Sequence, residues 1–340
     1  MASSRSSTAP GAAASSSSTT DVSLGNPDRP VGGLAVPQPP GVDLRPLGRD
    51  DLVEALALAR ELYGLPDRGL KPHRARFESL INDVDATPFM AVADGEPAGF
   101  IGFRFRRRLN HATFEGWLSD LFVPERFRGK GIGRTLLAAA IAEWRLRGGH
   151  QVMLEVGTER TAARALYESS GFVNQGKYFE IAPIVTRTIK PGPGVEIRPN
   201  VDDEADFEAT TRLLAELGRP APSEERLPAL RRTYAQHVAS PDSGSRMALL
   251  DGRPVGFISL EFRHPFFTTA PQAWIPDLVV TESARGRDIG AALLDAAFGE
   301  AIRRGAYAAA LESGHQRQVA HRLYEAAGMS DVGSFYTLAR

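Results

Sequence analysis

Cysteine is absent from the 340-residue chain, which excludes disulfides, cysteine-ligated zinc and a cysteinyl acyl-enzyme intermediate. An excess of either charge is absent too. Forty Lys and Arg residues face forty-one Asp and Glu residues, a formal net charge of -1, so no global field draws the chain to nucleic acid or to an anionic membrane. No stretch approaches the roughly 20 apolar residues of a membrane helix. The opening segment, Met1 to Thr20, lacks the apolar region of a signal peptide. Together these absences predict a cytoplasmic protein without nucleic-acid or membrane partners. The length suffices for two domains, each with its own core.

Residues 1–40 are mostly Ser, Ala, Thr, Pro and Gly, with little to bury against the entropy of ordering, and are read as a disordered tail. Val42 to Pro46 then opens a strand. Asp50 to Tyr63 has an acidic start and helical apolar spacing. Phe89 to Ala93 and Ala98 to Phe105 flank the turn residues Asp94 to Pro97 and predict a hairpin, followed by a strand over Phe114 to Val123. The run Lys190 to Gly194 alternates Pro and Gly and marks a linker at 191–194.

After it the order returns: Val195 to Pro199 repeats the opening strand and Ala248 to Ile258 the hairpin. Trp117 and Trp274, Asp120 and Asp277, Arg128 and Arg285, Glu155 and Glu312, Tyr167 and Tyr324, and Gly171 and Gly328 all stand 157 positions apart (285 − 128 = 157). A gapless register of this length predicts an internal repeat, with domains at 41–190 and 195–340.

Leu118 to Leu137 carries an apolar strand into a basic, glycine-rich turn and a helix. Gly129, Gly131 and Gly133 allow backbone conformations closed to other residues, and their amides with the helix N-terminus form a cradle for a pyrophosphate. Arg128, Lys130 and Arg134 add positive charge. The Walker phosphate loop is excluded because Pro124 stands where it needs Gly, and the dinucleotide fingerprint because Arg134 does.

Arg128-x-x-Gly131-x-Gly133 between strand and helix resembles the coenzyme A loop of the GNAT superfamily of acyl-CoA N-acyltransferases, and both halves share it. Ala163, Leu166, Tyr167, Gly171 and Phe172 match a later signature of that family. The resemblance implies an α/β class of mixed, mostly antiparallel sheet flanked by helices, in two tandem GNAT-like domains. It implies acetyl-CoA as cofactor, coenzyme A as product, and no metal. Cofactor contacts would come from Leu121, Phe122 and Val123, where a strand bulge turns backbone N–H groups toward the thioester, and from Arg128, Gly129, Lys130, Gly131, Ile132, Gly133 and Arg134. Where the family commonly has Asn, this sequence has Arg160, which could reach a phosphate, and Arg317.

Transfer from a thioester to an amine requires a base, an oxyanion site and a proton for the leaving thiolate. Tyr167 matches the family's frequent general acid; the alternative is a tyrosine that packs its helix. Glu155 is the preferred base, because Glu155 and Tyr167 resemble the base and acid of bacterial ribosomal-protein N-terminal acetyltransferases. A structural pairing of Glu155 with an arginine is the alternative. Asp120 and Glu115, on opposite strand faces by simple alternation, are weaker candidates. Trp117 and Trp274 read as core rather than substrate walls, and His111 and His264 as loop residues.

In the second half Asp288 replaces the glycine equivalent to Gly131 and puts a carboxylate beside the phosphate site, so the first copy is expected to be catalytic and the second degenerate or structural. Tandem mycothiol synthase, which the architecture resembles, uses its second domain for catalysis. The expected reaction is direct acetyl transfer to a primary amine in a ternary complex. The acceptor would be the N-terminal amine of a peptide or natural product, or alternatively a small metabolite or antibiotic amine. A non-catalytic acyl-CoA sensor or scaffold is the reading of another class. A homodimer stays open.

Overall fold

The computed structural model describes residues 36–64, 71–265 and 268–340. Most of the expected tail, 1–35, therefore lies outside the described residues. Val36 packs against the first core, and Thr135 Oγ1 lies 3.5 Å from the Pro37 carbonyl. The first half runs β1 (Val42–Pro46), α1 (Leu52–Tyr63), α2 (Lys71–Asn82), β2 (Phe89–Ala93), β3 (Glu96–Arg107), β4 (Phe114–Phe122), α3 (Ile132–Arg147), β5 (Gln151–Gly157), α4 (Thr161–Ser169) and β6 (Val173–Ile181). The second half repeats this order with β7 (Val195–Pro199), α5 (Glu204–Glu216), α6 (Leu227–Ala239), β8 (Ser243–Leu250), β9 (Arg253–Arg263), β10 (Gln272–Val280), α7 (Ile289–Arg303), β11 (Ala308–Gly314), α8 (Gln318–Ala326) and β12 (Ser330–Ala339).

Local chemistry accounts for these elements. Helix α3 starts where Gly131 takes φ +82° and ends where Gly148 takes φ +75°, its N–H bonding back to the Arg145 and Trp144 carbonyls. Leu136, Leu137, Ala140 and Trp144 recur at helical spacing and are fully buried against β2, β3 and β4. Removing each large side chain from water contributes about 1.5–3 kcal/mol. Helices α1 and α2 cover the opposite face, where Leu56 and Phe77 share a core with Phe100 of β3 and Phe122 of β4. The second half has two matching cores.

Among the described residues twelve strands form one sheet, in the order β1-β2-β3-β4-β5-β12-β6-β11-β10-β9-β8-β7. The two halves exchange their last strands. Strand β12 lies against β5, with Phe335 opposite Glu155, and β6 lies against β11, with Tyr178 opposite Glu312. Glycine permits this close seam: a Cβ on Gly176 would stand 2.1 Å from the Ser313 carbonyl, and one on Gly333 2.3 Å from the Val156 carbonyl. These two glycines are themselves 157 apart (333 − 176 = 157).

Candidate active site

Strands β4 and β5 run parallel and pair from Glu115–Gln151 to Leu118–Leu154, then part. At the parting point β4 bulges. Gly102 pairs with Asp120 and Phe103 with Leu118, so Ser119 is the extra residue. The open backbone of Ser119–Leu121 faces Glu155–Gly157 across a cleft of about 350 Å3. Glu155, Arg160, Ala163 and Tyr167 line one wall; Tyr63, Tyr178, Arg263, Gln272 and Tyr307 complete it. Of the three residues expected at the bulge, Leu121 lines the cleft. The Phe122 side chain joins the core under α1, and Val123 packs against Gly133.

The bulge also corrects the alternation argument for the acidic residues of β4. The extra residue reverses the pleat, so Trp117 and Asp120 border the same pocket under α1 and α2, and Glu115, two residues from Trp117, shares their face. Tyr63 donates its hydroxyl to Asp120. Burial raises the Asp120 pKa, with donation from Tyr63 and Ser119 opposing it. Glu115 is fully buried and bonded to Arg106 at 2.6 Å, to Arg108 at 3.3 Å and to Gln151, away from the cleft lining.

Glu155 is held on both oxygens. Trp117 Nε1 donates to Oε2 at 2.8 Å, and Arg263 Nη1 to Oε1 at 2.9 Å. Burial, the largest single effect, favours the neutral acid, but Arg263, hydrogen bonding with Glu312, the Arg106 charge and the Trp117 indole together outweigh it and lower the pKa of Glu155. The arginine pairing weighed from sequence is thus present, supplied by the other half. Trp117 is both a buried residue and part of the cleft wall; Trp274 is fully buried. Tyr167 has 5% of its surface exposed, packs on Phe172 with ring centroids 5.9 Å apart, and has its pKa raised by burial and by Asp120. Its phenol is therefore protonated throughout the neutral range. His111 stacks on His150 at 3.9 Å, while His264 Nε2 meets Asp242 at 2.9 Å.

The glycine turn leads from the cleft into α3. Gly129 takes φ +77°, Arg128 Nε donates to the Val123 carbonyl at 3.2 Å, and Arg128, Gly129, Lys130, Gly131 and Arg134 are exposed. Ile132 is buried, so only its backbone faces outward, and Arg134 reaches Ser169 at 3.0 Å. Pro39 passes 3.4 Å from the Cβ position of Gly131.

The second half reproduces this geometry. Gly286 takes φ +77°, Arg285 Nε meets the Val280 carbonyl at 3.2 Å, and Asp288 adopts φ +57° as the first cap of α7. The turn survives the loss of glycine because Asp tolerates the left-handed region. Strands β10 and β11 also part, after Trp274–Ala310, beside a bulge between Trp274 and Asp277. That cleft, also about 350 Å3, is lined by Glu312, Tyr324 and Arg317, with Arg108 and Gln151 from the first half. Glu312 accepts from Trp274 Nε1 at 2.7 Å and from Arg263 Nη2 at 3.3 Å; burial and the facing Glu155 raise its pKa.

Sequence reasoning missed Tyr63, Tyr178, Arg263, Gln272 and Tyr307. The signal that could have found Arg263 is the 157-residue register, which relates Arg106 to Arg263 as it does Trp117 and Glu155 to Trp274 and Glu312.

Two copies of a bulged, parted sheet, each leading into a glycine turn at a helix N-terminus, define a tandem acetyl-CoA-type transferase fold. The chain belongs to the Acetyltransferase (GNAT) family, whose model matches residues 53–172 and 211–329. Mycothiol acetyltransferase of Thermobispora bispora is 36% identical over 143 residues, 39% of this chain and 47% of that protein. The chain thus spans about half the length of that relative. Aminoglycoside N(6')-acetyltransferase type 1 of Stenotrophomonas maltophilia is 30% identical over 122 residues, 35% of this chain and 80% of that protein. Among solved structures, a GCN5-related N-acetyltransferase from Sphaerobacter thermophilus aligns over 89% of this chain and 97% of its own, with TM-score 0.59 and 24% identity. A tandem GNAT protein from the clavulanic acid biosynthesis pathway aligns over 88% and 98%, with TM-score 0.57 and 15% identity. Both share the fold. Among the described residues no helix is long and apolar enough to cross a membrane.

Proposed function

We propose that the chain is an N-acetyltransferase that moves an acetyl group from acetyl-CoA to a primary amine by direct attack in a ternary complex in the first cleft. The observation that carries this reading is the parting of β4 from β5 at the Ser119 bulge, which opens strand backbone beside Glu155, Arg160 and Tyr167 and runs into the exposed turn Arg128–Arg134. The pyrophosphate would sit on the amides of Gly129 to Gly133, with Arg128, Lys130 and Arg134 beside it and Arg160 within the cleft. Backbone N–H groups near Leu121 would bind the thioester oxygen. Acetyl-CoA supplies the activated acyl group.

As the C–N bond forms, the amine nitrogen becomes far more acidic, so an ionised Glu155 of low proton affinity can accept its proton. Tyr167, kept protonated by burial, donates to the departing thiolate. Asp120 is the second candidate base, favoured by its raised proton affinity and its place in the same cleft. The acceptor would be the N-terminal amine of a peptide or natural product, or alternatively a small-metabolite or antibiotic amine. Two relatives, by name an aminoglycoside N(6')-acetyltransferase and an aminoalkylphosphonate N-acetyltransferase, extend the choice to aminoglycosides and aminoalkylphosphonates.

Thiol release from acetyl-CoA with a panel of such amines tests the activity. Tyr167→Phe should lower kcat about 100-fold while leaving the affinity for acetyl-CoA within a few-fold. Glu155→Gln should remove the acid limb of kcat/KM; a limb lost only in Asp120→Asn would assign the base to Asp120. No amine-dependent thiol release from wild type would overturn the reading.

A further inference from the structure

At the centre of the sheet two carboxylates accept hydrogen bonds from one shared arginine. Glu155 on β5 and Glu312 on β11 are repeat equivalents, each fixed by the indole N–H of its own tryptophan, at 2.8 Å and 2.7 Å. Perfect repetition would supply two arginines. Arg263 on β9 has its counterpart in Arg106 on β3 (263 − 106 = 157), but Arg106 donates through Nε to Glu115 at 2.6 Å. Its position equivalent to Glu115 in the other half is Gln272, which offers no charge to capture an arginine. Arg263 is therefore left to reach both glutamates, at 2.9 Å and 3.3 Å, sandwiched between the Trp117 and Trp274 rings at 4.3 Å and 4.0 Å. Its side chain is 4% exposed, those of Glu155 and Glu312 10% and 5%, so water screens the triad little.

We propose that Arg263, a second-half residue, is the positioning residue for Glu155 in the first cleft, and that sharing one guanidinium between Glu155 and Glu312 couples the ionisation of the two clefts. A buried carboxylate without a cation takes up a proton, and two facing carboxylates with one cation cannot both ionise at ordinary cost. Protonation of Glu312, or an ammonium beside it, releases Arg263 to Glu155, and the converse holds by thermodynamic reciprocity. Among the described residues, the other charged and titratable groups facing the triad are Arg106 from β3, Arg108 just past its end, Glu115 from β4, Tyr178 from β6, Glu261 from β9 and Tyr307 before β11. Arg106 is the additional cation that acts on both glutamates; it lies 3.7 Å from the Trp274 ring centroid but donates to Glu115 at 2.6 Å.

The consequence for catalysis rests on the reading of Glu155 as base, whereas the coupling is measurable without it. The indole N–H resonances of Trp117 and Trp274 report on Glu155 and Glu312 separately, and can be followed by NMR across pH in the full chain. In wild type the Trp274 signal should titrate well above the ordinary glutamate range. In Glu155→Gln its midpoint should fall by about one pH unit or more, because the like charge is gone and Arg263 serves Glu312 alone. In Arg263→Met the Trp117 midpoint should rise into the measurable range, and Arg263→Lys, which keeps a charge, should restore most of the difference. An unchanged Trp274 midpoint in Glu155→Gln overturns the coupling. In kinetics, Arg263→Lys should move the acid limb of kcat/KM to higher pH by less than Arg263→Met does. If the resonances shift as expected while that limb follows Asp120, the coupling stands and the base assignment falls.

Discussion

At the scale of single residues, burial and pairing decide what each ionisable group can do. Glu115 shows this away from the cleft. Burial pushes its pKa up, but Arg108 and Arg106, with a hydrogen bond from Gln151, overcome this and bring it down to about 2 from 4.5. A lowered folded-state pKa stabilises the fold above the unfolded value and loses that contribution as pH falls through the folded value. Glu115 therefore contributes on the order of 3 kcal/mol above pH 4.5, lost progressively down to about pH 2. Glu115→Gln leaves two arginines underpaired and should cost about 3–5 kcal/mol at neutral pH, while flattening the acid arm of a denaturation series. An acid arm identical to wild type would assign that stability elsewhere. The same logic separates Glu155 from Asp120: they line one cleft, yet an arginine reaches one and a tyrosine hydroxyl the other.

At the scale of elements, the glycine turns are the parts whose fate was easiest to anticipate and whose difference matters most. Asp288 keeps the left-handed cap, so the second turn differs from the first in charge rather than in shape. A carboxylate about 6 Å from a phosphate charge, at an effective dielectric near 20, costs roughly 3 kcal/mol, about two orders of magnitude in affinity. Calorimetric titration of acetyl-CoA should thus give one site in wild type, lost about 100-fold in Gly131→Asp, and a second site in Asp288→Gly. Binding that survives Gly131→Asp would move the cofactor, and the search for chemistry, to Glu312 and Tyr324. The turn was legible because glycine spacing reports backbone conformation directly. The Ser119 bulge was not, since an extra residue leaves no mark in composition, and the simple alternation that it breaks misplaced Asp120 relative to Glu115.

At the scale of the whole molecule, the exchange of β6 and β12 makes the halves one sheet. Alanine at Gly176 or Gly333 would drive a Cβ into backbone at 2.1 Å or 2.3 Å, and each should cost about 1–3 kcal/mol or more, seen as a lowered Tm. Gly133→Ala, whose Cβ would meet Leu166 at an ordinary 3.4 Å, should be the milder change for stability. A chain cut within the linker at 191–194 should remain one species of full size on gel filtration, because each half holds a strand of the other. Fragments that separate and stay folded would show that the exchanged strands are dispensable.

The sequence by itself determined the repeat, the opening strands, the hairpins and the left-handed glycine turns, because these depend on periodicity, glycine positions and local spacing. Val42–Pro46 and Val195–Pro199 are strands as expected, and the hairpin turns at Asp94 and Asp251 both take positive φ. Only the tertiary structure decided which strands are neighbours and which arginine meets which glutamate. Arg263 and Glu155 are 108 positions apart (263 − 155 = 108), in different halves, and come together through the exchange of strands at the middle of the sheet. Pairing across such distances follows from the global arrangement of strands, and no local pattern encodes it.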